Sequence, residues 1–167
     1  MSGHRERKLA FVVEGDTDKV VIERLAERIL RHRNGWATVR LMVSPRVLDP
    51  SDSVLTLLEK GYPEVLVFFD ADATGEEATR ATLRVISRLT ESISPHGTGT
   101  GGSNIEMSQY PFRCIPFEPS LEGDWIAEPL ASKTVDAYRR WADTVNLDDL
   151  SRRSASFRSF KAALSRA

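Results

Sequence analysis

Two acidic runs in this chain contain the side chains best suited to chemistry, and each directly follows five consecutive apolar residues. Glu14 and Asp18 lie in the first run, and Asp70 and Asp72 lie in the second. An unbroken apolar run of this length is typical of a strand buried on both faces of a parallel sheet. Ligands gather at the carboxyl edge of such a sheet, where clustered carboxylates bind hard divalent cations. The two runs therefore predict a site for Mg²⁺ or Mn²⁺.

A carboxylate site of this kind suits the hydrolysis of phosphodiesters. That reaction needs a neutralised phosphate, an activated water and a stabilised leaving oxygen, and a bound magnesium ion supplies all three. Asp70 and Asp72 are two residues apart, so in a continuing strand they would point to the same face and share an ion. Glu14 would either complete the metal shell or act as a general acid/base, with a pKa raised by its neighbours. For Asp18 the alternative is a helix cap without chemistry.

Further acidic residues follow the fourth apolar segment, at Glu118 and Glu122. In a parallel sheet they would emerge at the same edge as the other carboxylates, and the pattern favours Glu122 over Glu118 as a ligand. The alternative is a capped helix in which Trp125 and Ile126 pack on the sheet.

Strand-like and helix-like patterns alternate along the chain. The predicted strands are 9–13, 36–43, 64–69 and 111–117. Helices are predicted after the first acidic run as far as Asn34-Gly35, and at 50–60, from 76 onward, at 120–129, 133–145 and 150–167. The Gly-, Ser- and Thr-rich segment 94–104 is expected to form a flexible loop. The alternation indicates an α/β fold with a mostly parallel sheet and helices on both faces.

Two motifs, in order and each behind an apolar strand, resemble those of the Toprim domain of topoisomerases, primases, OLD-family nucleases and small RNA maturases. They are Glu14-Gly15-x-x-Asp18 and Asp70-x-Asp72-x-x-Gly75-Glu76. The resemblance covers roughly residues 8–120 and implies a Toprim-like, mostly parallel four-stranded sheet. It implies that Glu14 is the general acid/base and that the aspartates hold metal. The segment from Glu118 to Trp125, in which Glu122 is the favoured ligand, is similar to the segment that helps bind a second ion in OLD-like nucleases.

These patterns predict a Toprim-like domain at 1–131 and a helical C-terminal extension at 132–167, packed on or beside it. We expect a magnesium-dependent nuclease acting on DNA or RNA, with Glu14, Asp70 and Asp72 as catalytic residues. Like charges at a buried edge cost stability without metal, which favours an enzyme. The alternatives are a non-catalytic Toprim module that binds nucleic acid or a partner protein such as an ATPase, and phosphotransfer on a small nucleotide.

The net charge is −1, but the two ends of the chain are basic and its middle is acidic. Residues 1–35 hold eight Lys/Arg against six Asp/Glu, and residues 132–167 hold eight against four. Basic arms around a metal site suit a polyanionic substrate. The side chains expected to contact phosphates are Arg24, Arg28, Arg152, Arg153 and Arg158. The alternative is that these charges only solvate helix faces.

The remaining composition narrows the class of protein. A single cysteine, Cys114, cannot form an internal disulfide, and three scattered histidines do not suggest zinc. No apolar run reaches the ~18 residues of a membrane span. We expect a cytoplasmic protein without a membrane partner, and a partner protein or a homodimer remains open.

Overall fold

The computed structural model describes residues 7–31, 37–43, 50–95 and 109–165, and for residues 7 and 37–43 it describes the backbone alone. The strands are β1 (Arg7–Val13), β2 (Ala37–Val43), β3 (Val65–Asp70) and β4 (Phe112–Phe117). The helices are α1 (Asp16–Arg31), α2 (Ser51–Glu59), α3 (Gly75–Ser92), α4 (Val135–Thr144), α5 (Leu147–Arg153) and α6 (Ala155–Ser165), and a π-helical turn lies at Glu122–Ile126. Within these ranges, none of the helices has the length and apolar character needed to cross a membrane.

The four strands form one parallel sheet in the order β2-β1-β3-β4. Val12 of β1 lies opposite Val67 of β3, and Asp70, the last residue of β3, lies opposite Phe117 of β4. The chain runs from β1 to β2 on one side and then crosses back to β3, so the strand order reverses between β1 and β3. In open parallel α/β sheets, ligands bind in the crevice at the carboxyl ends of the strands that flank such a reversal.

Helices cover both faces of the sheet, which confirms the predicted α/β architecture. Successive residues of a strand point to opposite faces, so Phe11 and Val13 join one core with α1. Ala10 and Val12 join the other core with α2 and α3. The strands β1 and β3 are buried on both sides, as their continuous apolar runs predict.

The C-terminal helices pack into the same core as α1. Trp125 of the π-helical turn stacks on Phe160 of α6, with ring centroids 5.6 Å apart, and lies edge-on to Phe117 at 4.8 Å. Phe160 also contacts Phe11 and Phe68 of the central strands, at 5.9 and 5.5 Å. Such aromatic pairs add about 0.5–1.5 kcal/mol each beyond their burial. The segment from residue 132 onward therefore shares the apolar core of the sheet.

Two helix predictions are corrected. The predicted helix 120–129 is only a π-helical turn, which ends where Ala127 takes a φ of 60°. The predicted helix 150–167 breaks at Ser154, whose backbone is extended with a φ of −127°. The Ser154 hydroxyl accepts the N–H of Phe157 at 3.1 Å, so this residue ends α5 and caps α6. Most of the predicted loop 94–104 lies outside the described residues, as do Asn34 and Gly35.

Candidate functional site

Glu14 and Asp70 lie on the two sides of the strand-order reversal. Glu14 directly follows β1, and Asp70 is the last residue of β3. The backbone N–H of Asp70 donates to Glu14 Oε1 at 2.5 Å, which links the two strand ends. Each carboxylate has a second oxygen and further lone pairs, so this bond does not exhaust the ligand capacity of Glu14.

Asp18, Asp72 and Glu122 complete what we call the acidic cluster, namely Glu14, Asp18, Asp70, Asp72 and Glu122. The charge of Asp70 acts on Asp18, and the charges of Asp72 and Glu122 act on Asp70. Asp18 lies in the first turn of α1 and accepts the N–H of Gly15, as the third helical residue of a capping box does. It is therefore a helix cap and a member of the cluster at once. The structure brings all five predicted metal ligands into one region.

Burial and the charges of neighbouring carboxylates raise the pKa values of Glu14, Asp18 and Asp70. The pKa of Glu14 is raised to about 8, first by burial and then by the charges of three neighbouring aspartates. The hydrogen bond from the backbone N–H of Asp70 favours the ionised form and lowers this pKa in part. The pKa of Asp18 is raised to about 7 by burial and by the charges of Asp70 and Glu122. Burial is also the main cause of the raised pKa of Asp70. The cluster therefore holds negative charge that a proton or a cation would relieve.

The backbone around Asp72 differs from the prediction of a continuing strand. β3 ends at Asp70, and Asp72 has a φ of 55°, in the left-handed region that aspartate tolerates better than most residues. The N–H of Asp72 donates to the carbonyl of Pro119 at 2.9 Å, so the segments after β3 and β4 are joined. A turn after β3 thus brings Asp72 close to Asp70, and the two residues do not lie on one face of a continuing strand. Of the two glycines expected at sharp turns, Gly75 has a positive φ of 63° and Gly15 does not.

The donor set of the acidic cluster fits a hard cation by its chemistry, because every member offers carboxylate oxygens. Within the described residues, however, no group of three Asp, Glu, His or Cys side chains is arranged so that it could hold a metal ion as it stands. Protein donors engage some of the oxygens: the N–H of Leu121 reaches Asp70 Oδ1 at 3.0 Å, and the hydroxyl of Tyr138 reaches Glu122 Oε1 at 2.6 Å. Metal binding would require side-chain rotation, which is easiest for the exposed Asp72.

Tyr138 of α4 is a site residue that the sequence patterns did not indicate. Its side chain is buried, its hydroxyl donates to Glu122, and burial followed by that bond raises its pKa. A tyrosine that resists ionisation is a poor nucleophile, so its role here is to hold Glu122. The only sequence signal is the helical pattern of α4, which does not reveal what the buried face meets.

A pocket of about 320 Å³ opens beside Glu14, Asp70 and Asp72 on the α3 side of the sheet. Arg84 and Arg88 of α3 also line this pocket. The sequence shows these two arginines at helical spacing directly after the second acidic run, but the crossover of α3 is what brings them to the site.

The acidic residues after β4 divide into two roles. Glu118 is exposed, and its backbone N–H donates to Asp124 Oδ2 at 2.9 Å. The Asp124 carboxylate also accepts the hydroxyls of Ser154 and Ser156 at 2.6 and 2.8 Å. Ser156 in turn accepts the indole N–H of Trp125 at 2.7 Å. This network fastens the π-helical turn, which carries a member of the acidic cluster, to the junction of α5 and α6.

Most of the five arginines predicted to contact phosphates make hydrogen bonds within the protein. Arg28 donates to two carbonyls at the end of α4, Arg153 to two in the π-helical turn, and Arg158 to two in α5. Arg24 and Arg152 instead form ion pairs with carboxylates near the surface. Nucleic-acid binding by these residues stays a prediction, and the geometry favours Arg24 and Arg152.

The chain is similar in structure to the C-terminal region of the Burkholderia pseudomallei OLD protein. The TM-score is 0.43 with 17% sequence identity, and the match covers 96% of this chain and 87% of that chain. No protein-family model matches the sequence, and no curated protein matches it. At this TM-score the similarity does not assign the chain to a family.

Proposed function

We propose that this protein is a magnesium-dependent phosphodiester hydrolase that cuts nucleic acid through a Toprim-like carboxylate site. The observation that carries the proposal is the acidic cluster itself. Its members lie at the carboxyl ends of β1 and β3 or in the segments that follow β1, β3 and β4, and their charges act on one another at the strand-order reversal. Unrelieved like charge at a partly buried edge costs stability, so its presence favours a site that gains a cation.

Glu14, Asp70 and Asp72 would hold the ion, with Asp18 and Glu122 as further ligands. The chemistry that magnesium supplies when bound is neutralisation of phosphate charge and activation of water. In the metal-free cluster the pKa of Glu14 is about 8, so its carboxyl holds a proton that it would give up when a cation binds, and the ionised Glu14 would then either complete the metal shell or act as the general base. The backbone N–H of Asp70 orients this carboxyl toward the crevice end of β3.

The experiment that tests the proposal is cleavage of labelled single- and double-stranded DNA and RNA with magnesium, manganese or EDTA. We expect metal-dependent cleavage that Glu14→Gln reduces by on the order of a hundredfold or more, while nucleic-acid affinity is unchanged or higher. Glu77→Gln is the matched control, since Glu77 is exposed in the first turn of α3 and does not line the pocket. Cleavage unaltered in Glu14→Gln would remove Glu14 from the mechanism.

A second candidate is a non-catalytic Toprim module that binds nucleic acid or a partner protein. The observation in its favour is that no three-ligand metal group stands ready among the described side chains. Such a module would show no metal-dependent cleavage of any of the four substrates, even in the wild type.

A further inference from the structure

Three carboxylates of the acidic cluster are each held by a hydrogen bond from the protein. Glu14 Oε1 accepts the N–H of Asp70 at 2.5 Å, and Asp70 Oδ1 accepts the N–H of Leu121 at 3.0 Å. Glu122 Oε1 accepts the hydroxyl of Tyr138 at 2.6 Å. Among the described residues, no donor reaches the second oxygen of these three side chains. Each of the three therefore has one held oxygen and one free oxygen.

The packing of α4 fixes the position of the donor that holds Glu122. Tyr138 is only 3% exposed, and Ala142, one turn further along α4, is buried in the same core. Arg28 of α1 donates to the carbonyls of Ala142 and Val145 at 2.8 Å each, which fastens the end of α4 to α1. Tyr138 is therefore held in place by packing and by hydrogen bonds that do not involve the acidic cluster.

Burial of the donors makes these hydrogen bonds costly to break. Water has little access to the hydroxyl of Tyr138, and Leu121, which donates to Asp70, is fully buried. A buried donor that loses its acceptor costs more free energy than an ordinary hydrogen bond contributes. Turning both oxygens of Glu122 toward one ion would break its bond to Tyr138. The held oxygen therefore stays with the protein, and a cation is bound through the free one.

One free oxygen per side chain favours small cations. Ca²⁺ takes about 6–8 oxygen ligands and often uses both oxygens of a carboxylate. Mg²⁺ is octahedral, keeps several of its waters and is bound through one or two carboxylates. Because the number and the flexibility of the ligands decide between the two ions, held carboxylates disfavour Ca²⁺.

We infer that Tyr138 is a positioning residue that makes the acidic cluster select Mg²⁺ over Ca²⁺, because its hydroxyl restricts Glu122 to a single ligand oxygen. The inference rests on the proposed function for the presence of a divalent cation, and it adds the residue that decides which cation binds. The donors to Glu14 and Asp70 are backbone N–H groups, whereas the donor to Glu122 is a side chain that a substitution can remove.

The test is calorimetric titration of the wild type, Tyr138→Phe and Tyr110→Phe, with Mg²⁺ and with Ca²⁺ in separate experiments. Tyr138→Phe removes the hydroxyl and keeps the ring. Tyr110→Phe is the matched control, since Tyr110 is half-buried, packs on Phe112 with ring centroids 5.5 Å apart and lies outside the acidic cluster.

The wild type should bind Mg²⁺ more tightly than Ca²⁺. In Tyr138→Phe the ratio of the two affinities should fall by roughly tenfold or more, the size of effect usual when a group that holds a metal ligand is removed. The variant loses affinity for Mg²⁺ because Glu122 is no longer oriented, and Ca²⁺ gains the second oxygen of Glu122. Tyr110→Phe should keep the ratio of the wild type.

The ratio of the two affinities separates cation selection from a general loss of structure. Damage to the fold would weaken the binding of both ions together, and thermal unfolding in EDTA shows whether Tyr138→Phe is folded. An unchanged ratio in the folded variant would overturn the inference. Ca²⁺ binding as tight as Mg²⁺ binding in the wild type would overturn it too, and this result does not depend on the variant.

The outcomes distinguish this inference from the proposed function. If the wild type cleaves nucleic acid with magnesium but folded Tyr138→Phe keeps the affinity ratio, Tyr138 does not select the cation and the nuclease stands. If no substrate is cleaved but the ratio falls in Tyr138→Phe alone, the nuclease is wrong and the role of Tyr138 stands. Binding of neither ion by the wild type would contradict both.

Discussion

Glu14 lies where its carboxyl is more stable with a proton than without one. Its pKa of about 8 arises first from burial and then from three aspartates, while one backbone N–H favours the ionised form. A glutamate in water would be ionised at pH 7, so the fold prepares this side chain for proton transfer. The neighbouring carboxylates that raise this pKa also attract a cation, and a metal ion would compete with the proton for the oxygens of Glu14.

This linkage predicts how stability depends on pH. The pKa values of Glu14 and Asp18 in the folded state, about 8 and about 7, lie above the ordinary values of 4.5 and 3.8. The folded state therefore binds more protons, and the stabilisation is fully present below about pH 4 and lost as the pH rises through 7 and 8. In EDTA, the melting temperature should fall between about pH 6 and 8.5, and it should fall less in Glu14→Gln with Asp18→Asn. Thermal unfolding followed by circular dichroism measures this, and equal falls would contradict the assigned pKa shifts.

Among the secondary-structure elements, the π-helical turn is the least regular one that contributes a residue to the acidic cluster. It follows β4, carries Glu122, and packs Trp125 against the aromatic side chains of the sheet and α6. The network around Asp124 fastens this turn to the start of α6. The position of a cluster member thus depends on helices that are distant in sequence.

Removing one hydroxyl from that network should measurably destabilise the protein. Ser156→Ala leaves the buried indole N–H of Trp125 without its acceptor, and it removes one of the two donors to Asp124 Oδ2. Leaving such buried groups unsatisfied costs about 1–3 kcal/mol, measurable as the free energy of unfolding in urea. Asp136→Asn, which alters only an exposed ion pair with Arg139, should change that free energy by less than about 0.5 kcal/mol. A Ser156→Ala variant as stable as Asp136→Asn would show that the network does not hold the turn.

At the scale of the whole molecule, the basic ends should act on nucleic acid through long-range charge. Affinity for a duplex should fall with salt by about 0.9 log units per log unit of salt for each phosphate neutralised. Arg24→Glu with Arg152→Glu should flatten that dependence, because both side chains pair only near the surface. Arg153→Glu should lower stability instead, since Arg153 donates to carbonyls of the π-helical turn. If the affinity of the wild type for a duplex did not depend on salt, the basic ends would be solvated helix faces that do not bind phosphates.

The sequence patterns predicted those features of the fold that depend on residues close together in the chain. The buried strands β1 and β3 are readable from continuous apolar runs, and the carboxylates at their ends follow from the parallel sheet. The left-handed φ of Asp72 and the break at Ser154 were not predicted, because each depends on a hydrogen bond or turn that periodicity does not record. Arg84 and Tyr138 reach the site only through helix packing, so a sequence pattern shows their spacing but not what they face.

The proposed binding of a divalent cation by the acidic cluster can be measured by calorimetric titration with magnesium or manganese. The wild type should bind at least one ion, and Asp70→Asn with Asp72→Asn should bind none. In EDTA the double variant should be at least as stable as the wild type, because it removes like charges from the cluster that raises the pKa of Glu14. Equal metal binding by the wild type and a folded double variant would show that the acidic cluster is not the cation site.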